Sequence, residues 1–251
     1  MSHVPKKFVG LHVHSTVGSI EPRRRSGPKR KYSLNEAFFE NIDTEEKAYW
    51  LGFIYADGCI SNNRLQFDLS WKDNDHLAKL ACSLGTDTPV KFKKRENHEK
   101  AFFRVVSRKL INDLKRLGLT ERKSFTIKFP SEDLVAKEYQ HHFIRGYVDG
   151  DGSFIVRPRK DRPSNSYTFK VIGSTAFIQA LQNIMIDQGL SKTKLEIYKS
   201  DDISKTIATM TYCGRLSVAK VFNFLYGNET MCLSRKKMIA SQSINVATEK
   251  K

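Results

Sequence analysis

The feature that most constrains this chain is an internal repeat. Tyr49-Trp-Leu-Gly-Phe-Ile-Tyr-Ala-Asp-Gly58 and Phe143-Ile-Arg-Gly-Tyr-Val-Asp-Gly-Asp-Gly152 align so that Gly52, Asp57 and Gly58 recur at Gly146, Asp151 and Gly152, each 94 residues further on. In a chain of 251 residues a repeat of that length predicts two similar half-domains, not a solenoid of short units. The residues after each passage agree. Downstream of the first come alternating runs, a helical run from Asp75 to Leu84, two more strand-like runs and a helix from Lys109 to Leu117. Downstream of the second come strand-like runs, a helix from Ala176 to Gln188, two strands and a helix from Leu216 to Leu225. Each half reads α-β-β-α-β-β-α, an α+β class in which antiparallel sheets carry helices.

The strands have one dry face. Leu65, Phe67, Leu69 and Trp71 alternate with Arg64, Gln66, Asp68 and Ser70, and Tyr167, Phe169 and Val171 alternate with Ser166, Thr168 and Lys170. Val90 and Phe92 alternate with Lys91 and Lys93, and Leu195 and Ile197 with Lys194, Glu196 and Tyr198. The polar face is thus mostly basic. This matches the whole chain, whose 43 Lys and Arg against 27 Asp and Glu give a formal charge of +16. Such an excess points to a polyanion, with nucleic acid ahead of an anionic membrane surface. The longest apolar run, Ala48 to Ala56, is nine residues, too short to span a bilayer. Met1 to Gly10 lacks the apolar stretch of a signal peptide, and Cys59, Cys82, Cys213 and Cys232 show no paired metal or redox spacing. Reduced thiols in a cytoplasmic protein are expected.

The two repeated passages read as helices. Asp43-Thr-Glu-Glu46 has capping-box chemistry, with the Asp43 carboxylate set to accept a helix amide and Glu46 to reach back. Gly58 is expected to supply a left-handed stop. Gly52 inside the first helix costs about 1 kcal/mol relative to Ala, so something must compensate. Gly146 and Gly150 lie four apart in the second helix, as Gly52 and Ala56 do in the first. Small residues at that spacing let two helix backbones approach closely, so the helices are expected to pack on each other; the alternative is that each glycine relieves crowding against its own sheet. Packed in parallel, they place Asp57 and Asp151 side by side at negative dipole ends. Either the two pKa values rise or a cation lies between the carboxylates. Hard oxygen donors suit Mg2+, which beside a phosphate serves phosphodiester hydrolysis.

These residues resemble the single-chain LAGLIDADG homing endonucleases. The nine-letter motif falls on Trp50-Leu-Gly-Phe-Ile-Tyr-Ala-Asp-Gly58 and Ile144-Arg-Gly-Tyr-Val-Asp-Gly-Asp-Gly152, and the resemblance spans roughly residues 32 to 240. It implies a monomer with internal pseudo-twofold symmetry and no obligatory protein partner. Its two saddle-shaped sheets would follow the major groove of double-stranded DNA while the helix pair presents acids to scissile phosphates. The implied reaction is Mg2+-dependent staggered cleavage of both strands at a long, asymmetric site, with Mn2+ as a substitute metal. Asp57 and Asp151 would be the catalytic metal ligands, joined by the carbonyls of Ala56 and Gly150. The sequence departs from the motif at Tyr55, where the family has an acid, and at Arg145. The family's basic residue near each centre matches Lys123 and Lys236, with Lys237 as the alternative to Lys236 and Lys72 as a weaker candidate. An RNA maturase or a non-cleaving DNA-binding regulator on the same scaffold is the competing reading.

Candidate DNA contacts are the outward strand positions and their neighbours: Asn63, Arg64, Gln66, Asp68, Ser70, Lys91, Lys93, Arg104, Arg157, Arg159, Lys170, Lys194, Glu196 and Tyr198. The chain is expected to divide into a basic, flexible tail (1–31), half-domains at 32–130 and 131–240, and a C-terminal tail (241–251). The first tail holds eight basic residues against Glu21, so seven of the sixteen charges belong to it. Within it Lys7-Phe-Val-Gly-Leu-His-Val-His-Ser15 resembles the first metal-binding motif of the PHP domain of bacterial DNA polymerase alpha subunits. Since the other metal-binding segments are absent, His12 and His14 are expected to form no working metal site. The tail then reads as an upstream coding fragment fused in frame to an intron-borne gene, which suits a bacterial or phage origin, with an organelle matrix as the alternative setting.

Overall fold

A computed structural model describes residues 30–95, 98–121, 123–161, 163–199, 206–227 and 231–244. The described helices and strands belong to the second of two units, Met1–Lys31 and Tyr32–Lys251. The stretch resembling a PHP motif lies outside the described residues.

The first half runs α1 (Glu45–Asp57), β1 (Cys59–Ser61), β2 (Arg64–Ser70), α2 (Asn74–Ser83), β3 (Lys91–Arg95), β4 (His98–Val106) and α3 (Arg108–Arg116). The second repeats it with α4 (Lys137–Asp151), β5 (Gly152–Pro158), β6 (Asn165–Ser174), α5 (Thr175–Asp187), β7 (Glu196–Lys199), β8 (Thr206–Cys213) and α6 (Arg215–Tyr226), followed by α7 (Ser234–Ser241). Two antiparallel four-stranded sheets result, ordered β1-β2-β4-β3 and β5-β6-β8-β7. Among the described residues no helix is long and apolar enough to cross a membrane. All four cysteines are free thiols.

The alternation sets the faces. Leu65 and Phe67 of β2, Ala101, Phe103 and Val105 of β4, Phe169 and Val171 of β6, and Met210 and Tyr212 of β8 are buried beneath helices. Two positions differ from the sequence expectation. Trp71 leaves the strand: the Ser70 hydroxyl accepts the Lys72 amide at 3.4 Å and starts a 3-10 turn, Trp71–Asp73. A side chain that bonds the nearby backbone competes with the sheet ladder. Phe92 shares a face with buried Ala101 yet stays 48% exposed, meeting Trp71 edge-on at 5.0 Å where the core ends.

Helices α1 and α4 form the centre. Nine successive residues of α1, Ala48 to Ala56, are buried, so this helix has no solvent face. A Cβ at Gly52 would overlap the Phe143 carbonyl oxygen, and one at Gly146 would overlap the Tyr49 carbonyl oxygen. The contact is reciprocal, as a pseudo-twofold axis requires, and it is the compensation for glycine in mid-helix. At the next turn a Cβ on Gly150 would overlap that of Ala56. The expected packing of the two helices through their small residues is therefore what the fold shows.

Both expected helix ends need correction. The N-cap of α1 is Thr44, whose hydroxyl accepts the Lys47 amide at 3.2 Å; Asp43 instead pairs with Lys47 at 2.7 Å, and Glu46 accepts from the Ser83 hydroxyl. Thr44 wins because Ser83, 37 residues further on, draws Glu46 away from the reaching-back role. Gly58 is extended, at φ −71°, and not left-handed. Its smallness is needed sterically, because a Cβ there would come within 2.7 Å of the Ile54 carbonyl oxygen as α1 turns directly into β1.

Candidate active site

Asp57 is the last residue of α1 and Asp151 the last of α4, so the packed helices bring the two acids to one end of the core. The Asp57 carboxylate lies against the backbone of the partner helix: Oδ2 is 3.2 Å from where a Gly150 Cβ would stand. Burial raises the Asp57 pKa to about 6, helped by the charge of Asp151 and opposed by Lys236 and Lys123. Burial also raises Asp151, while the charges of Lys123 and Lys236 pull it down.

Each helix end receives a lysine. Lys123, on the 3-10 turn Lys123–Phe125, donates to the carbonyl of Tyr55 at 2.6 Å and to that of Ala56. Lys236, on α7 and 7% exposed, donates to the carbonyls of Val148 at 3.1 Å, Gly150 at 2.7 Å and Gly152 at 2.6 Å. An ammonium at a helix C-terminus satisfies orphan carbonyls and faces the favourable end of the dipole. Burial lowers both lysine pKa values, Lys236 to about 8. Of the alternatives, Lys237 is partly exposed beside Lys236, and Lys72 is exposed in the turn after β2.

Among the described residues no group of three or more His, Cys, Asp or Glu side chains could hold a metal. The donor set is the two partly buried carboxylates of Asp57 and Asp151 with the carbonyls of Ala56 and Gly150. Each carbonyl has a second lone pair beyond its lysine bond. Mg2+ commonly takes one or two carboxylates and completes its shell with water and phosphate, so this set fits it.

The two motif departures are structural. Asp149, fully buried, accepts from Tyr49 Oη at 2.7 Å, Tyr226 Oη at 2.6 Å and the Leu233 amide at 2.7 Å, pinning the segment that enters α7. Tyr55, its counterpart in α1, donates to the Leu117 carbonyl. Buried Arg145 donates Nε to the Met231 carbonyl at 2.9 Å in the same segment. Sequence reading also missed Tyr147, whose hydroxyl donates to the Ile172 carbonyl at 2.9 Å and lies in a cleft with Lys123 and Asp151. Its counterpart in the repeat is Phe53, so the two centres are not equivalent; the 94-residue offset carried that signal.

The candidate DNA contacts mostly share two faces. Strand register puts Arg64, Gln66, Asp68, Ser70, Lys91, Lys93 and Arg104 on the outward side of the first sheet. Arg157, Lys170, Glu196 and Tyr198 lie on that of the second. Asn63 sits in the β1–β2 turn at φ 61°, and its carbonyl accepts the Ser107 amide. Arg159 and Lys194 fall outside the strands, since β5 ends at Pro158 and β7 begins only at Glu196. Lys100 was missed. It faces outward in β4, 3.9 Å from Asp68, and the alternation of Ala101, Phe103 and Val105 predicts its side. Lys93 Nζ stands 3.2 Å from the Phe102 ring centroid, a cation–π contact on the same face.

The raised Asp57 pKa has a consequence for stability. From pH about 4 to 6 the folded state keeps a proton that the unfolded chain releases, so stability falls as pH rises through this window. Asp57→Asn is expected to be more stable than the unaltered protein by up to about 3 kcal/mol at pH 8 in a metal chelator, and equal to it near pH 4. Urea denaturation at the two pH values measures the difference.

Two pseudo-symmetric αββαββα halves, joined through glycine-bearing helices that end in paired acids, have the fold of the LAGLIDADG homing endonucleases. The chain is similar to the LAGLIDADG meganuclease I-AabMI, solved bound to uncleaved DNA, with a TM-score of 0.50 and 15% identity over 78% of this chain and 89% of that one. It is similar also to the LAGLIDADG homing endonuclease I-LtrWI, solved bound to target DNA, with a TM-score of 0.50 and 12% identity over 83% of this chain and 90% of that one. At such identities the likeness is one of fold. No family model matches the sequence, and no curated protein does.

Proposed function

We propose that this chain is a LAGLIDADG homing endonuclease: a monomeric enzyme making a staggered double-strand break in a long, asymmetric DNA site by Mg2+-dependent phosphodiester hydrolysis. The observation that carries the reading is the pairing of Asp57 and Asp151 at adjoining helix ends, each end holding a lysine ammonium on its carbonyls. The two DNA-bound structures of the same fold support it.

Asp57, Asp151 and the carbonyls of Ala56 and Gly150 would hold Mg2+, with Mn2+ as a substitute. Bound there, the metal supplies Lewis-acid activation of water and charge neutralisation at the phosphate. Lys123 and Lys236 keep positive charge beside each acid, where negative charge grows in the transition state. With its pKa brought to about 8, Lys236 also exchanges protons with water near neutral pH. The outward faces supply Arg and Lys for phosphates and Gln66 and Asn63 for base edges.

The test is selection of bound duplexes from a randomised pool, followed by digestion in Mg2+ of a plasmid bearing the recovered site. Linear plasmid with staggered ends supports the reading. Tight binding with persistent supercoiled plasmid would identify a non-cleaving regulator or a maturase instead. Lys91→Ser and Arg104→Ser are each expected to reduce the slope of log affinity against log salt by about 0.9, the value for one neutralised phosphate. Fluorescence anisotropy on any duplex reads this, and an unchanged slope in both would remove the first sheet from the interface.

A further inference from the structure

Lys123 and Lys236 each bond the helix of their own half, yet the segments that carry them are tied to the opposite half, and the two ties differ. On one side, the hydroxyl of Ser174 donates to the carbonyl of Ile127, four residues beyond Lys123. Ser174 is the N-cap of α5, and its hydroxyl also accepts the Phe177 amide at 3.2 Å, so it caps its helix while holding the lysine segment. On the other side, the equivalent N-cap position, before α2, is Asp73. Aspartate is among the strongest N-cap residues, but Asp73 makes no side-chain cap bond. Both of its oxygens go instead to Arg235, the residue before Lys236, with Nε to Oδ1 at 2.7 Å and Nη2 to Oδ2 at 2.8 Å. The pair joins positions 162 residues apart, and the Asp73 side chain is only 7% exposed. A bidentate guanidinium–carboxylate pair fixes orientation as well as distance.

We infer that Asp73 and Arg235 are positioning residues for Lys236: the first half gives up a helix cap to hold the second centre's lysine in place. The inference rests on the nuclease reading for its effect on cutting, but the brace itself is measurable without DNA. The second centre then depends on the first half through an ion pair, whereas the lysine segment of the first centre is held on the second half by the neutral Ser174 hydrogen bond and by Phe129 packed on Phe143 and Phe177. Loss of the pair should therefore affect one strand more than the other. A rigidly held group displaced by about an ångström forfeits roughly a hundredfold in rate.

The variants are Arg235→Gln and Asp73→Ser, the latter able to cap α2 as Ser174 caps α5 and so to fold. Amine acylation of the full chain, followed by mass spectrometry, is expected to show Lys236 reacting roughly tenfold faster in both variants as α7 loosens, with Lys123 unchanged. On the plasmid bearing the selected site, both variants are expected to accumulate open circles nicked in the same single strand, with the other strand cut roughly ten- to a hundredfold more slowly. Arg235→Lys should recover part of the loss. Unchanged Lys236 reactivity in both variants, or equal slowing of both strands, overturns the inference. If the unaltered protein fails to cut while Lys236 becomes reactive in the variants, the nuclease reading fails and the brace stands.

Discussion

Asp57→Asn and Asp151→Asn are each expected to leave DNA affinity within about threefold of the unaltered protein, since removing an acid takes no phosphate contact away. Cleavage, in contrast, should fall by roughly a thousandfold or more, because a metal-held phosphate gains several kcal/mol of transition-state stabilisation and each 1.36 kcal/mol is a factor of ten. The isosteric amide keeps the shape of the site and removes the charge that binds the cation. Plasmid digestion with the selected site, scored for supercoiled, nicked and linear forms, measures the effect. Stability sharpens the test: at pH 8 without metal, Asp57→Asn should be the more stable protein and the inactive one. A destabilised inactive variant would point to a structural role for Asp57, and an active one would remove it from the site.

Gly146→Ala is the second large effect. In an ordinary helix interior, replacing glycine by alanine stabilises by about 1 kcal/mol. At Gly146 the sign reverses, because the new methyl carbon would lie 1.9 Å from the Tyr49 carbonyl oxygen, and Gly52 faces the Phe143 carbonyl oxygen in the same way. Backbone atoms of two helices cannot rotate aside as a side chain can, so the helices must separate and open the core between the halves. A loss of about 3–5 kcal/mol is expected, at the severe end of single substitutions and a large part of a typical domain's stability. Gly189→Ala serves as the comparison: with φ +82° but nothing within 4 Å of the added carbon, it should lose only about 1–2 kcal/mol of backbone strain. Urea denaturation of the three proteins tests the order. Equal stability of Gly146→Ala and the unaltered chain would mean that the helix backbones are not in contact.

Local pattern carried the sequence reading far. Strand alternation placed Leu65, Phe67, Tyr167 and Phe169 on the buried side, and the 94-residue repeat located both acids and the small residues that join the helices. It failed where a distant partner competes for a local group. Glu46 was expected to reach back to its own helix start, but Ser83 engages it and Thr44 takes the cap. Asp73 sits where a cap belongs, but Arg235 engages both its oxygens. Trp71 continues the alternation in sequence, while the Ser70 hydroxyl turns the chain a residue earlier.

By itself, then, the sequence determined the number of halves, the faces of their strands and the identity of the paired acids, because each depends on spacing along one segment or on comparison of two copies. Tertiary structure alone decided which carbonyls Lys123 and Lys236 bond, what Asp149 and Arg145 hold, and how Tyr147 and the Asp73–Arg235 pair make the two centres unequal. These contacts join residues 25 to 162 positions apart. Which side chains meet at that separation is set by how the halves close around α1 and α4, and no periodicity within a segment encodes it.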